Sequence, residues 1–212
     1  MGSGTIRLGG LCGIASAAAI VPAYLVGSPE APADAGGARS YFDSAASFLT
    51  ANGTLPVAHI VLGILFFGVL MATLRSAAGA TGAFYTAVIG ASVFVALTAA
   101  GLAAEVAVPA AVVQFDDLSV VEYAQPFLGL ASWLYHYSQL GAAAVIFATA
   151  YVVWRTAVLP KWSAALGVLG VPALLHTWIG LPGAFSTVVW MALTGLLMLA
   201  IPPVVRLESV GV

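Results

Sequence analysis

The sequence predicts an all-α integral membrane protein, a bundle of six transmembrane helices with both termini in the cytoplasm. The chain is 62% hydrophobic and only 7% charged, whereas soluble domains carry about 25% charged residues. Its few charges separate six long apolar stretches, each near the roughly 20 residues that a helix needs to cross a bilayer. Because six spans use more than half of the 212 residues, residues 1–212 are expected to form a single transmembrane domain.

The distribution of charges predicts the orientation of this bundle. When the apolar stretches are threaded alternately through a bilayer, five of the six basic residues fall on one side and seven of the eight acidic residues on the other. Lys and Arg near span ends stay cytoplasmic, so the basic side is expected to be the inner face of the plasma (inner) membrane. The basic side carries Arg7, Arg75, Arg155, Lys161 and Arg206, and the acidic side carries Glu30, Asp34, Asp43, Glu105, Asp116, Asp117 and Glu122.

The bounds of the six spans follow from the apolar runs and their breaks. The first span is expected to be a retained helix, because its apolar run exceeds the roughly 7–15 residues of a signal-peptide core. Arg75 and Arg155 end the second and fourth spans, and Pro182-Gly183 separate the fifth and sixth. The predicted spans are 7–26, 55–74, 83–104, 130–154, 162–181 and 184–205.

Two outer segments are predicted to carry short surface helices. In residues 40–49 apolar side chains recur at helical spacing, which is typical of a helix lying on the membrane surface. Residues 105–125 contain Pro109 and a capping box at Ser119–Glu122, which predicts a helix that begins at Val120. Aromatic residues near the span ends predict an interfacial belt; they are Trp133, Tyr135, Tyr137, Trp154, Trp162 and Trp178.

All three histidines lie inside predicted spans at a similar depth. Counting about 1.5 Å per residue from the cytoplasmic ends places His59, His136 and His176 about 24, 28 and 22 Å deep. Glu105 lies slightly above them at the outer end of the third span. Ionisable residues at such depths are expensive and face a cavity or a partner. The common level therefore predicts a ligand, metal or haem site near the outer leaflet, made by the three histidines with Glu105 as a fourth group.

Several chemistries fit these residue types. Imidazole and carboxylate donors suit zinc, another divalent metal or non-haem iron, and two histidines suit a haem. Proton handling is a third alternative, because histidine titrates near neutral pH. A structural alternative stands beside them, in which each histidine bridges a backbone carbonyl and headgroup water on its own. No HxxxH or HExxH spacing on one helix selects among these readings.

Other features restrict the function without naming it. Cys12 is the only cysteine, so an intrachain disulfide and a cysteine metal site are excluded. No basic patch for nucleic acid is present, and no Asp, Glu or Lys lies at mid-depth, which argues against an ion-coupled transporter. Ser138 and Gln139 are expected to bond to adjacent helices. The sequence does not decide whether the protein is an enzyme.

Two further functions remain open alongside the ligand site. The first is a non-catalytic accessory or scaffold subunit of a larger membrane complex, because strong motifs are lacking and small residues such as Gly9 and Gly13 permit close helix packing. The second is a facilitator for a small lipophilic molecule. The expected partners are membrane lipid, including anionic headgroups near the basic residues, and either other membrane subunits or further copies of the chain.

The opening Arg7-Leu8-Gly9-Gly10-Leu11, which continues apolar to Val26, is followed by an acidic outer loop and five further spans. This layout resembles an uncharacterised family of small bacterial six-span membrane proteins, over the whole length of the chain. The resemblance implies a six-span fold. It implies no activity and no site residue.

Overall fold

The computed structural model describes residues 2–26, 49, 52–114 and 120–203. These residues contain helices and no β-strand, which confirms the all-α fold for this part of the chain. The helices are α1 (Ser3–Val26), α2 (Leu55–Ala78), α3 (Gly82–Gln114), α4 (Val120–Thr156), a 3-10 helix (Lys161–Leu169), α5 (Gly170–Leu174), α6 (His176–Ile179) and α7 (Leu181–Ala200).

Five of these helices are long and apolar enough to cross a membrane, namely α1, α2, α3, α4 and α7. Large apolar side chains such as Leu65, Ile89 and Leu196 point away from the bundle and are more than half exposed. Soluble proteins rarely present extended apolar surface of this kind. Length, composition and surface together identify the chain as a membrane protein.

The predicted fifth span, 162–181, is not a continuous α-helix. It consists of the 3-10 helix followed by the short helices α5 and α6. Leu175 leaves helical geometry between α5 and α6 (φ −88°, ψ 9°), and Gly180 adopts φ +64° and ends α6. Gly170 lies against the Phe147 ring of α4, so this segment packs closely on α4 despite its breaks.

Helices α3 and α4 extend beyond the predicted spans. α3 continues past Glu105 and through Pro109 to Gln114, and α4 begins at Val120 as predicted, with Pro126 inside it. Proline is tolerated inside membrane helices because neighbouring groups satisfy the freed backbone carbonyls. Most of the predicted surface helix at 40–49 lies outside the described residues, as do the acidic residues at 30, 34, 43, 116 and 117 and Arg206.

Small residues allow the helices of this chain to pack closely on one another. A Cβ atom added at Gly90 of α3 would lie 2.8 Å from the backbone oxygen of Gly141 in α4. Gly10 of α1 and Gly195 of α7 meet in the same way. Backbones approach this closely only where no side chain intervenes. Gly9 and Gly13, which suggested contacts with other subunits, likewise lie against α2 within the chain.

An aromatic cluster joins α2, α3 and α7 in the core. The Phe66 ring lies 6.2 Å from Trp190, and the Phe67 ring lies 5.9 Å from Phe94, both edge to face. Aromatic pairs in this geometry contribute about 0.5–1.5 kcal/mol beyond the burial of their area. The cluster reaches the ring of His59, which contacts Phe94 at 6.4 Å.

Candidate functional site

A cavity of about 270 Å³ lies between α1, α3, α4, α6 and α7. Its volume is close to the lower end of the range typical of small-molecule sites, about 300–1,000 Å³. Apolar and polar side chains share its walls. The lining residues are Ala23, Tyr24, Leu102, Glu105, Ser132, Tyr135, His136, Gln139, His176, Gly180, Leu181 and Ala184.

Glu105 of α3 and Tyr135 of α4 form one wall of this cavity. The Tyr135 hydroxyl donates a hydrogen bond of 2.5 Å to Glu105 Oε2, and the Glu105 side chain is buried. Gly101, one turn before Glu105, makes room for the Tyr135 ring, because an added Cβ would lie 2.7 Å from a ring carbon. The buried carboxylate is thus held by a hydrogen bond between two helices.

His136 and His176 form a pair at another wall. Their Nδ1 atoms are 2.8 Å apart, and their rings lie at 61° with centroids 4.8 Å apart. One Nδ1 donates its proton and the other accepts, so at least one ring is neutral. The Trp133 ring, nearly one turn earlier on α4, contacts His136 edge to face at 5.5 Å. Two predicted site residues on separate elements are therefore in direct contact.

The irregular segment before α7 explains how His176 reaches His136. A 3-10 helix rises about 2.0 Å per residue instead of about 1.5 Å. Counted in this way from Lys161, His176 lies about 27 Å along the segment, level with His136 at about 28 Å. Gly183 of α7 lets the backbone of His176 approach, since an added Cβ would lie 2.9 Å from the His176 Cα.

Gln139 and Thr187 close the cavity where α4 meets α7. The Thr187 hydroxyl donates a hydrogen bond of 2.6 Å to Gln139 Oε1, and both side chains are buried. The expected bond from Gln139 to an adjacent helix is therefore present. Ser138 instead donates to the backbone oxygen of Tyr135 in its own helix.

His59 lies elsewhere, and its place corrects the prediction that all three histidines converge. Its Nδ1 lies 3.0 Å from the backbone oxygen of Ser16 and 2.9 Å from Ser16 Oγ. Ser16 Oγ in turn donates to the backbone oxygen of His59 at 2.8 Å. His59 is 2% exposed and does not line the cavity. It joins α1 to α2.

The donor arrangement bears directly on the predicted metal and haem sites. Among the described side chains, no group of three or more His, Cys, Asp or Glu residues is placed to hold a metal ion. Two nitrogens on opposite sides of one metal, as in a haem with two axial histidines, lie about 4 Å apart at metal–nitrogen bonds of about 2.0 Å. The 2.8 Å between His136 and His176 leaves no room for a porphyrin plane between them.

Seven of the twelve lining residues were not singled out from the sequence, Tyr24 and Leu102 among them, and one lining residue was assigned to the wrong environment. Tyr24 follows Pro22 near the end of α1, and Leu102 lies on α3; neither carries a motif. Tyr135 was placed in the aromatic belt, but it is partly buried and bonds to Glu105. The other five belt residues are more than half exposed: Trp133, Tyr137, Trp154, Trp162 and Trp178.

Comparisons with known proteins supply no family for this chain. Profiles of protein families, curated proteins and solved structures were searched, and none of the three searches found a match. The case for function therefore rests on the cavity and on the residues that line it.

Proposed function

We propose that the protein binds a small, mainly apolar molecule within the membrane, in the cavity lined by Glu105, Tyr135, His136 and His176. One observation carries this proposal: buried and partly buried polar and ionisable side chains converge around a cavity of about 270 Å³ whose remaining walls are apolar. Small-molecule sites combine apolar walls with a few placed polar groups. Ionisable residues inside a membrane are costly, and they mark substrate pathways and ligand sites.

The histidine pair suggests which polar group the molecule carries. When one neutral ring donates its Nδ1 proton to the other, the donor ring keeps Nε2 as an acceptor and the acceptor ring carries an Nε2 proton. The pair then offers both a donor and an acceptor. A hydroxyl or carbonyl group on an otherwise apolar molecule matches this arrangement, and a polyanion does not.

The proposal includes six membrane crossings, with the broken segment from Lys161 to Ile179 as the fifth. Arg155 lies at the inner end of α4, and His176 contacts His136, about 28 Å along α4 from Arg155. The segment therefore returns along α4 over a length close to the hydrocarbon thickness of about 30 Å. With the basic residues inside, both termini are cytoplasmic, and the cavity opens toward the outer leaflet of the plasma membrane.

Native mass spectrometry of the protein in mild detergent tests the binding proposal. We expect a bound molecule carried over from the membrane or, after incubation with 1-naphthol, retained naphthol. Ala184→Leu places three extra carbons into the cavity and should release either molecule. Ala96→Leu makes the same change on an exposed face of α3 and serves as the matched control. Loss of the bound molecule in both variants, or in neither, would contradict the assignment of the cavity.

A facilitator for a small lipophilic molecule would use the same cavity. One of the two motivations for the accessory-subunit alternative is weaker, since Gly9 and Gly13 pack against α2 within the chain. Uptake of 1-naphthol into vesicles, compared with and without the protein, separates a carrier from a binding protein. Faster uptake that Ala184→Leu abolishes would identify the facilitator.

A further inference from the structure

We propose that His136 and His176 form a two-histidine site for a divalent transition metal ion, inside the cavity. This goes beyond the binding of an apolar molecule and does not depend on it. Both Nδ1 atoms face one another at 2.8 Å, and they come from two separate elements, α4 and α6. Imidazole nitrogen is a preferred ligand of zinc, copper and nickel.

The pair needs only a small movement to accept an ion. Two nitrogens bound to one tetrahedral zinc at about 2.0–2.1 Å lie about 3.4 Å apart. The Nδ1 atoms are 2.8 Å apart, so they must separate by roughly 0.6 Å, and both rings must turn so that each Nδ1 lone pair points at the ion. Rotation about the side-chain torsions of the two histidines supplies movements of this size.

The proton balance of this step is simple. In the metal-free pair one Nδ1 carries the bridging hydrogen, whereas a metal ion needs the lone pairs of both Nδ1 atoms. The ring that donated its Nδ1 proton changes to the tautomer protonated at Nε2, and both rings remain neutral. The ion exchanges two of its water ligands for two imidazole nitrogens. No oxidant or reductant takes part.

The rest of the coordination shell is supplied by water held in the cavity. A volume of about 270 Å³ accommodates several waters at roughly 30 Å³ each. The carboxyl group of Glu105 lines the same cavity and, when ionised, lowers the cost of placing a dication there. With two protein ligands, the affinity is expected to follow the usual order of divalent metals, with Cu²⁺ bound most tightly.

Pulsed electron paramagnetic resonance of Cu²⁺ tests the site in the tag-free, full-length protein. The remote nitrogens of bound imidazoles give a characteristic modulation, and the chain contains only three histidines. We expect one Cu²⁺ per chain with two bound imidazoles. His136→Gln and His176→Gln should each lower the Cu²⁺ affinity at least 100-fold, while His59→Gln should change it less than threefold.

Three results would overturn the proposal. They are a wild-type spectrum with no or one bound imidazole, unchanged affinity in both pair variants, and an equal loss of affinity in His59→Gln. If the pair variants fail to fold, the wild-type spectrum still decides. Because the test uses Cu²⁺ alone, two bound imidazoles in a protein that retains no naphthol would support the metal site and contradict the apolar ligand.

Discussion

The two histidine environments of this protein differ in which residue forms hydrogen bonds with the imidazole ring. His59 is buried, and Ser16 of the neighbouring helix forms hydrogen bonds with both its Nδ1 and its backbone oxygen. His136 and His176 are bonded to each other beside a cavity. A histidine satisfied by its own scaffold holds helices together. Two histidines that hydrogen-bond to each other beside a cavity can exchange that bond for bonds to a ligand.

This difference shows that a depth counted along the sequence is a weak guide to which side chains meet. All three rings were placed within about 6 Å of one level by counting residues. Contacts place His59 beside Ser16 of α1 and Phe94 of α3, whereas the cavity begins seven and eight residues later on these helices, about 10–12 Å away. The two environments therefore differ both in level and in the facing residue, which is Ser16 in one and a second histidine in the other.

The largest effect is expected from Gly183→Val, which should disrupt the paired site and leave His59 in place. The added side chain would collide with the backbone of His176 and with the Pro172 oxygen, since Cβ alone would lie 2.9 and 2.7 Å from them. Overpacking costs up to about 3 kcal/mol. Thermal unfolding in detergent measures the loss. Naphthol retention should fall as well, and normal retention in a folded variant would count against the site.

A smaller loss is expected from Tyr135→Phe, which removes the donor to Glu105 in the cavity wall. Hydrogen bonds to charged groups contribute about 1.5–3 kcal/mol in water-soluble proteins. In membrane proteins, double-mutant cycles give an average of about 0.6 kcal/mol for a hydrogen bond between helices. We therefore expect a loss of about 1.5 kcal/mol together with weaker ligand retention. Tyr137→Phe, on the exposed face of α4, is the control. Equal effects of the two changes would remove Tyr135 from the site.

His59→Leu should destabilise the protein by about 1 kcal/mol, because one buried hydrogen bond to Ser16 is lost. The Cu²⁺ spectrum and naphthol retention should remain those of the unchanged protein. Unfolding curves measure the loss of stability, and the two binding assays on the same preparation check that binding is unchanged. A stable His59→Leu protein without Cu²⁺ binding would reverse the roles assigned to the two environments.

The smallest change in stability is expected from His176→Gln. Its hydrogen bond to His136 contributes about 0.6 kcal/mol on the scale of membrane-protein cycles, and glutamine retains part of it. Binding of Cu²⁺ and of naphthol should nevertheless be lost. Of the four substitutions, His176→Gln should therefore lose the most binding for the least loss of stability. A large drop in unfolding temperature with intact Cu²⁺ binding would mark the pair as structural.

Composition and charge predicted the all-α membrane fold because a bilayer requires long apolar helices. The sequence did not predict the breaks in the fifth segment, since neither Gly167 nor Pro172 indicates a nine-residue 3-10 helix. That helix also decides the pairing: its longer rise lifts His176 from the counted 22 Å to about 27 Å. His59 lies about 10–12 Å from the cavity, toward the N-terminal ends of α1 and α3, which is one reason why only two histidines meet.

The rotation of each helix about its axis was the other feature that the sequence did not predict, although the aromatic residues of α4 indicated it for that helix. Trp133 and Tyr137 are four residues apart and share one face of α4, whereas Tyr135 lies nearly opposite them. Trp133 and Tyr137 are exposed, and Tyr135 faces Glu105. Read by face rather than by depth, the belt pattern would have predicted Tyr135 inside the bundle, on the side of Gln139.

Nitrogen-15 nuclear magnetic resonance of the three histidine rings tests the division between the two environments most directly. With only histidine labelled, the protein gives signals from three rings, which single substitutions assign. The account predicts a nitrogen–nitrogen coupling across the hydrogen bond between His136 and His176, and shifts of these two rings on addition of Zn²⁺ while His59 stays unchanged. A His59 ring that shifts with Zn²⁺, or a pair without coupling in the metal-free protein, would contradict it.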